Sequence, residues 1–321
     1  MGRDASEPTR YREVVLTVSN RGIRQVGPLT AMRIWITGGA GFLGQRLTAE
    51  LAREGHEILS LSRRSSPVAN ESVEIDLSQE KEKLNSLARE NRAEVVIHAA
   101  ARQPGRYTFP EFVKGNILPT VNLLEALKSS PPKQIIYTST LSVYAQSNKL
   151  PFTEDHPASS SLAYAATKRW AEQLLETFRD AQVTVLRLPS LYGKGQGDSF
   201  IDGLAQLAQR GEDLELFSRG AVIREALHVS DVIRAIQTCI DQPPGKQFCL
   251  MNLGTGRSIS TLEYAEALVD ALESKSHIVL SDRAALQFDC YADIQRARDT
   301  IGFQPTELKE SLRRYADELR A

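Results

Sequence analysis

Two short segments of this 321-residue chain hold side chains whose types and spacing could do chemistry. Tyr164 and Lys168 stand four residues apart in the run Tyr-Ala-Ala-Thr-Lys, so on a helix they share one face. An ammonium beside a phenol favours the phenolate, which would draw the tyrosine's pKa down from about 10 towards the range of a general acid/base. The second segment runs from Ile34 to Gly44 and satisfies two glycine templates at once. Gly39, Gly41 and Gly44 fit G-x-G-x-x-G, while Gly38, Gly41 and Gly44 fit G-x-x-G-x-x-G. Glycines so placed let backbone N–H groups approach a pyrophosphate, and a following helix aims its positive end at the same anion. Either segment alone is a weak signal, because an isolated Y-x-x-x-K is more often a packed tyrosine with a solvated lysine, and glycine loops also occur as plain turns.

The elements that must position these groups follow from hydrophobic periodicity. Residues 32–36 read as a buried strand, and 42–54 carry Leu43, Leu47 and Leu51 at helical spacing before a stop at Gly55. Strands at 57–62, 72–76, 95–100, 134–138 and 183–188 then alternate with helices near 79–91, 112–128 and 162–179, the last with Ser159, Ser160 and Ser161 as N-cap candidates. That alternation predicts an α/β fold, a doubly wound parallel sheet with helices on both faces. From Pro189 the pattern changes to a glycine-rich stretch (Gly193, Gly195, Gly197), a helix near 200–210 and a C-terminal helix from about 308 to 319. The expected organisation is a dinucleotide-binding domain over 32–188 and a smaller, mainly substrate-binding lobe over 189–321, with some segments of the latter returning to the first domain. Residues 1–31 read as a poorly ordered extension or upstream-initiated leader without a catalytic role, and the strand candidate at 14–18 has no visible partner.

Composition narrows the function classes. With 41% hydrophobic residues the chain can bury a full core, and 39 Lys plus Arg against 40 Asp plus Glu leave no basic surplus for nucleic acid. No run of about 18 apolar residues is present, which argues against a spanning helix, and 1–31 lack the apolar stretch of a secretory signal. Cys239, Cys249 and Cys290 show no C-x-x-C spacing, so they read as small hydrophobes with reduced thiols in a cytoplasmic protein that binds no metal.

A series of landmarks then occurs in a recognisable order: TGGAGFLG (37–44), Asp76-Leu77, HAAA (98–101), Asn116 before NLLEA (122–126), STLSVY (139–144), YAATK (164–168), LRLPSLYG (186–193), REALHVSD (224–231) and NLGTG (252–256). From Met32 to the C-terminus the chain resembles an extended short-chain dehydrogenase/reductase of the NAD(P)-dependent epimerase/dehydratase family that acts on nucleotide sugars. The resemblance implies a Rossmann domain with Gly38, Gly41, Phe42, Leu43 and Gly44 around the cofactor phosphates. It places Asp76 and Leu77 at the adenine and Ala99 and Ala100 along the cofactor. It makes Thr140, Tyr164 and Lys168 the catalytic set, in which Tyr164 exchanges the proton, Lys168 positions the nicotinamide ribose and Thr140 hydrogen-bonds the reacting sugar oxygen. His98 and Asn116 resemble positions near the cofactor, but capping of a strand or helix explains each equally well and neither is assigned catalysis. Arg224 aligns with an arginine that contacts the substrate diphosphate, the alternative being a salt bridge between lobes. Ser190 stands in the substrate stretch where many members have asparagine, and Glu225 and Ala226 also depart from the family pattern, so the sugar and the diphosphate contact stay open.

Cofactor form and reaction type can be argued from single residues. An NAD site asks for an acid about 20 residues past the glycines, whereas this chain has Arg63 and Arg64 after the second strand, which suit the 2′-phosphate of NADP. NADP is therefore preferred over NAD. The triplet Thr140-Leu141-Ser142 offers no carboxylate for the second acid/base function that elimination of water needs, which disfavours dehydration. What remains is hydride transfer at a keto or hydroxyl carbon, of the 4-ketoreductase or 4-epimerase type. Two other readings stay open: an NADPH-dependent reductase of a non-sugar carbonyl, which would not need Arg224, and a non-catalytic dinucleotide sensor, against which the intact Thr-Tyr-Lys set argues. The family commonly forms a homodimer by pairing the helices near 112–128 and 162–179, yet their apolar faces serve equally for packing on the sheet, and the sequence does not choose.

Overall fold

The computed structural model describes residues 16–19, 22–25, 31–144, 149–285 and 288–321. Two short strands, β1 (Leu16–Ser19) and β2 (Gly22–Gln25), pair antiparallel, so the strand expected near 14–18 has its partner in the segment just after it. The other expectations for 1–30 lie outside the described residues.

The central sheet is built on β3 (Arg33–Thr37), whose Ile34, Trp35 and Ile36 are all fully buried. Ile34 and Ile36 join the core on one face and Trp35 the core on the other, the signature of a strand covered on both sides. After α1 (Phe42–Arg53) come β4 (Glu57–Ser62), β5 (Glu71–Glu74), α2 (Lys81–Glu90) and β6 (Val95–His98). A short helix α3 (Phe109–Phe112), a π-helical turn (Val113–Ile117) and α4 (Leu118–Leu127) lead to β7 (Gln134–Thr140), α5 (Ala163–Thr177) and β8 (Gln182–Leu188). The helix expected over 112–128 thus starts three residues earlier and carries a π-helical turn in its first half. The remaining elements are β9 (Ser190–Tyr192), α6 (Phe200–Arg210), β10 (Leu214–Leu216), β11 (Ala226–His228), α7 (Val229–Asp241), β12 (Phe248–Asn252), α8 (Thr261–Leu272), β13 (Ile278–Leu280), α9 (Gln295–Ile301) and α10 (Leu308–Arg320).

Seven strands pair in parallel in the order β12-β8-β7-β6-β3-β4-β5. Leu47 and Leu51 of α1 pack with Val232 and Ile236 of α7 on one face, and Leu84 of α2, Leu123 of α4 and Leu175 of α5 cover the other. The chain runs outward from β3 through β4 and β5, then returns to β6 on the opposite side of β3. The carboxyl ends of β3 and β6 therefore part at a topological switch point, where ligands bind in open α/β sheets. Beyond β8 the chain is mixed: β12 and α7 belong to the main sheet and its cover, whereas α6, α8 and α10 share a separate core of Ile201, Tyr264, Leu268, Leu312 and Tyr315.

Candidate active site

The glycine turn explains itself by contact distances. Gly38 takes a left-handed φ of +72°, and a Cβ there would lie 2.8 Å from the Ala100 Cα across the switch point. At Gly44 a Cβ would fall 2.2 Å from the Gly38 carbonyl oxygen, so both positions exclude any larger residue through packing alone. Gly41 differs: a Cβ would meet just the Gly38 oxygen, at 3.2 Å, and its open side faces a cleft. It is also the N-cap of α1, with no side-chain cap and no acid in the first turn. The N–H groups of Phe42, Leu43 and Gly44 thus have no intrahelical acceptor and point, with the helix dipole, towards an anion position in that cleft.

The cleft holds about 360 Å³. Gly38, Gly41, Phe42, Leu43, Gly44, Arg63, Arg64, Asp76, Leu77, Ala99 and Ala100 line it, and Thr140, Tyr164 and Lys168 stand on its wall. Ser190 and Arg224 do not line it, although Pro189 and Leu191 do. Arg102, Lys114, Ser139 and Gln196 line it as well and were not foreseen as site residues: Arg102 and Gln196 lie in loops and Lys114 in the π-helical turn, none of them in a motif, while Ser139 sits in the STLSVY segment but was assigned no role. A nicotinamide dinucleotide fits this donor set: uncapped helix N–H groups for its diphosphate, guanidinium groups at the end of β4, and a phenol and an amine farther along.

Two predicted local features are corrected. The N-cap of α5 is Leu162, which makes no side-chain cap, and Ser160 only accepts a hydrogen bond from its N–H at 3.3 Å. More consequentially, Tyr164 is not tuned by Lys168 in this arrangement. Burial pushes the phenol up to about 12, opposed by a hydrogen bond from Thr140. The Lys168 ammonium is engaged elsewhere, donating to the Thr138 carbonyl at 2.6 Å and lying 4.1 Å from the centre of the Tyr137 ring. Burial also pushes Lys168 down to about 7, with the Glu172 carboxylate pulling the other way. Thr140 has a second duty, accepting from the Ser142 N–H at 3.1 Å to cap the turn after β7.

His98 and Asn116 are structural. Burial drives His98 down to about 3, so it is neutral. Thr120 gives its proton to the Asn116 carbonyl and Thr37 accepts from the Ala100 N–H, so His98 donates from Nε2 to Thr120 (3.0 Å) and accepts at Nδ1 from Thr37 (2.7 Å). Asn116 sits in the π-helical turn, where its Oδ1 accepts from the Arg102 N–H (2.7 Å) and its Nδ2 donates to Thr167 (2.9 Å). That side chain ties the loop after β6 to the turn of α5 that carries Lys168. Asp76 spends its oxygens locally, accepting from Ser78 N–H and hydroxyl at 2.9 and 2.6 Å and from Gln79 at 2.7 Å.

The lobe-to-lobe salt bridge considered for Arg224 is absent among the described residues. Its guanidinium lies 4.9 Å from the centre of the Phe200 ring. The neighbouring Glu225 does the anchoring: it is buried, accepts from Thr255 N–H (2.7 Å) and hydroxyl (3.1 Å) and from the Ala292 N–H (2.7 Å), and burial pushes it up to about 8. Among the described residues no cluster of three or more His, Cys, Asp or Glu could hold a metal ion. Nor is any helix there long and apolar enough to cross a membrane.

Comparison with known proteins completes the description. A UDP-glucose 4-epimerase of Bacillus subtilis is 28% identical over 315 residues, covering 85% of this chain and 92% of its own. UDP-glucuronate 4-epimerase 3 of Arabidopsis thaliana is 28% identical over 328 residues, covering 88% of this chain and 75% of its own. A UDP-glucose 4-epimerase of Thermotoga maritima, solved with UDP-glucose, shares the fold with a TM-score of 0.81 at 24% identity, over 90% of this chain and 99% of that one. MoeE5, solved with UDP-glucuronic acid and NAD, gives 0.78 at 28% identity over 90% and 99%. The model of one family matches residues 34–254, from the strand that carries the glycine turn to the loop that Glu225 anchors, and the chain accordingly belongs to the NAD dependent epimerase/dehydratase family.

Proposed function

We propose that this protein transfers hydride at a hydroxyl or keto carbon of a nucleotide sugar, as a 4-epimerase using NAD or NADP. The observation that carries the reading is the meeting of Tyr164, hydrogen-bonded to Thr140, and buried Lys168 on the wall of a cleft that begins at the uncapped N-terminus of α1. The names of the relatives support the sugar class: those at 28% identity are a UDP-glucose and a UDP-glucuronate 4-epimerase, and MoeE5 was solved with a UDP-sugar acid and NAD.

A bound nicotinamide dinucleotide supplies the acceptor and donor of hydride. Phe42, Leu43 and Gly44 would hold its diphosphate, Arg63 and Arg64 a 2′-phosphate where there is one, and Lys168 its nicotinamide ribose. Tyr164 takes the proton from the sugar hydroxyl and returns it to the carbonyl oxygen once the sugar has presented its other face. With its pKa pushed up to about 12 the phenol stays protonated at neutral pH, so it holds a proton to return but must first be brought down before it can take one. Turning the Lys168 ammonium from the Thr138 carbonyl towards the phenol would bring that pKa down. Thr140 holds the phenolic oxygen and orients the substrate oxygen beside it, with Ser190 and Arg224 as substrate contacts outside the cleft proper.

A panel of UDP-sugars incubated with either dinucleotide and followed by NMR tests the reading. Interconversion of a C4 epimer pair without net dinucleotide consumption is expected, and binding of dinucleotide with turnover of no sugar in the panel would refute it. Arg63 and Arg64 favour a second reading, an NADP-linked 4-ketoreductase, which would consume NADPH stoichiometrically. We further place substrate binding mainly in the part of the chain after residue 188, and the protein in the cytoplasm on account of its three free cysteines. The exposed Phe109, Leu118, Leu162 and Trp170 on α3, α4 and the start and body of α5 suit pairing with a second copy, which light scattering would show as doubled mass.

A further inference from the structure

Three consecutive residues at the end of β7 each grip a different turn of α5. The Thr138 carbonyl accepts from Lys168 (2.6 Å), the Ser139 hydroxyl donates to Glu172 (2.5 Å), and the Thr140 hydroxyl bonds Tyr164. Residues 164, 168 and 172 recur every four positions, so they form one row along the helix. The rung of Ser139 and Glu172 differs from the others in that Glu172 has no place in the chemistry described above.

Glu172 is completely buried and Arg187, on β8, nearly so. Arg187 donates from Nε to Oε1 (3.0 Å) and from Nη2 to Oε2 (2.7 Å), and Arg169 adds a bond to Oε2 at 3.0 Å. A buried bidentate pair of this kind fixes geometry more than it adds stability. Here it joins β7, β8 and α5 directly beneath the reacting groups. We propose that Glu172 is a positioning residue: through Ser139 and Arg187 it sets the register of α5 on β7, and it supplies the negative charge that faces Lys168. Among the described residues the groups around Lys168 leave no other source of that charge. Tyr164 precedes it on α5, Tyr137 lies under it from β7, His98 on β6 is neutral through burial, and Arg187 on β8 is a cation paired to Glu172 itself.

This inference rests on Lys168 and Tyr164 being the reacting pair, and its test is made independent of the sugar. In full-length protein labelled with [ε-13C]lysine, the Lys168 resonance, assigned by its loss in Lys168→Met, is titrated by NMR in wild type and in Glu172→Gln. Loss of the facing charge is expected to lower the Lys168 midpoint by about one pH unit, leaving about fivefold less ammonium at pH 7, and to move the alkaline limb of kcat/KM by the same amount. A folded variant with an unmoved midpoint overturns the electrostatic part. Should Glu172→Gln lose its native circular dichroism because Arg187 is left unpaired, the double variant Glu172→Gln/Arg187→Met is titrated against the single variant Arg187→Met, so that the lost cation cancels and only the Glu172 charge differs. Ser139→Ala keeps the ion pair, so it is expected to leave the midpoint in place and lower kcat about tenfold with KM little changed. A wild-type kcat in Ser139→Ala overturns the register part. Failure of wild type to turn over any sugar would instead count against the proposed activity, with the titration still decisive for Glu172.

Discussion

Lys168→Met is expected to make the fold more stable while removing its function, by an amount that depends on pH in a defined way. The lysine's ordinary value of 10.5 falls to about 7 inside the protein, chiefly through burial. At about 1.4 kcal/mol per pH unit, the fall of about 3.5 means that the ammonium costs about 5 kcal/mol relative to the unfolded chain, where it is hydrated. The sign follows from proton counting. Between pH 7 and 10.5 the unfolded chain binds more protons than the folded one, so stability rises with pH across that window and is lost as pH falls towards 7. Methionine fills a similar volume and does not titrate, but it leaves the Thr138 carbonyl without its donor, at a cost of about 1–3 kcal/mol. The variant should therefore exceed wild type by about 2–4 kcal/mol at pH 6, and the difference should shrink by about 2–3 kcal/mol by pH 9. Urea unfolding of both chains at several pH values measures this directly, since every group they share cancels in the difference. A difference that stays constant from pH 6 to 9 would refute the reasoning, because it would mean that Lys168 carries its charge in the folded state as easily as in water.

Three further outcomes are expected. Tyr164→Phe should lower turnover about 10²- to 10⁴-fold, the worth of a positioned proton carrier, while dinucleotide affinity measured by calorimetry stays near wild type. Gly44→Ala should prevent stable folding, since its Cβ would lie 2.2 Å from a backbone oxygen. Gly41→Ala, with a single contact at 3.2 Å, should fold and lose dinucleotide affinity instead, so equal melting temperatures for the two variants would contradict the assignment of their roles. Replacing Arg63 and Arg64 by alanine should cut NADP affinity about 10- to 100-fold and leave NAD affinity nearly unchanged, with a weaker salt dependence for NADP; equal losses for both dinucleotides would remove the 2′-phosphate role.

Some of this chain could be read before folding because its determinants are local. A strand buried on both faces declares itself by a continuous apolar run, as in Ile34-Trp35-Ile36, and a helix by the period of Leu43, Leu47 and Leu51. The glycine turn is local in its spacing and in the contact of Gly44 with Gly38, whereas the contact that constrains Gly38 itself comes from Ala100 after another strand. The π-helical turn at Val113–Ile117 was not legible, because one extra residue in a helical turn leaves the apolar pattern almost unchanged, and the role of Asn116 went with it. Arg102 and Gln196 were missed for a related reason, since loops carry no period, and Lys114 went unread with the π-helical turn; only the folded path brings them to the cleft.

The sequence by itself therefore determined the order of strands and helices as far as β8, the glycine turn and the spacing of Tyr164 from Lys168, all of which depend on neighbours along the chain. Tertiary structure alone decided the electrical state of those same groups. Whether Lys168 tunes a phenol or grips a carbonyl, whether Arg224 meets a carboxylate or an aromatic ring, and whether Glu172 is a surface charge or a buried clamp depend on residues 15 to 33 positions away on other elements. Charge responds to dielectric and distance in space, and neither is a property of position in the chain.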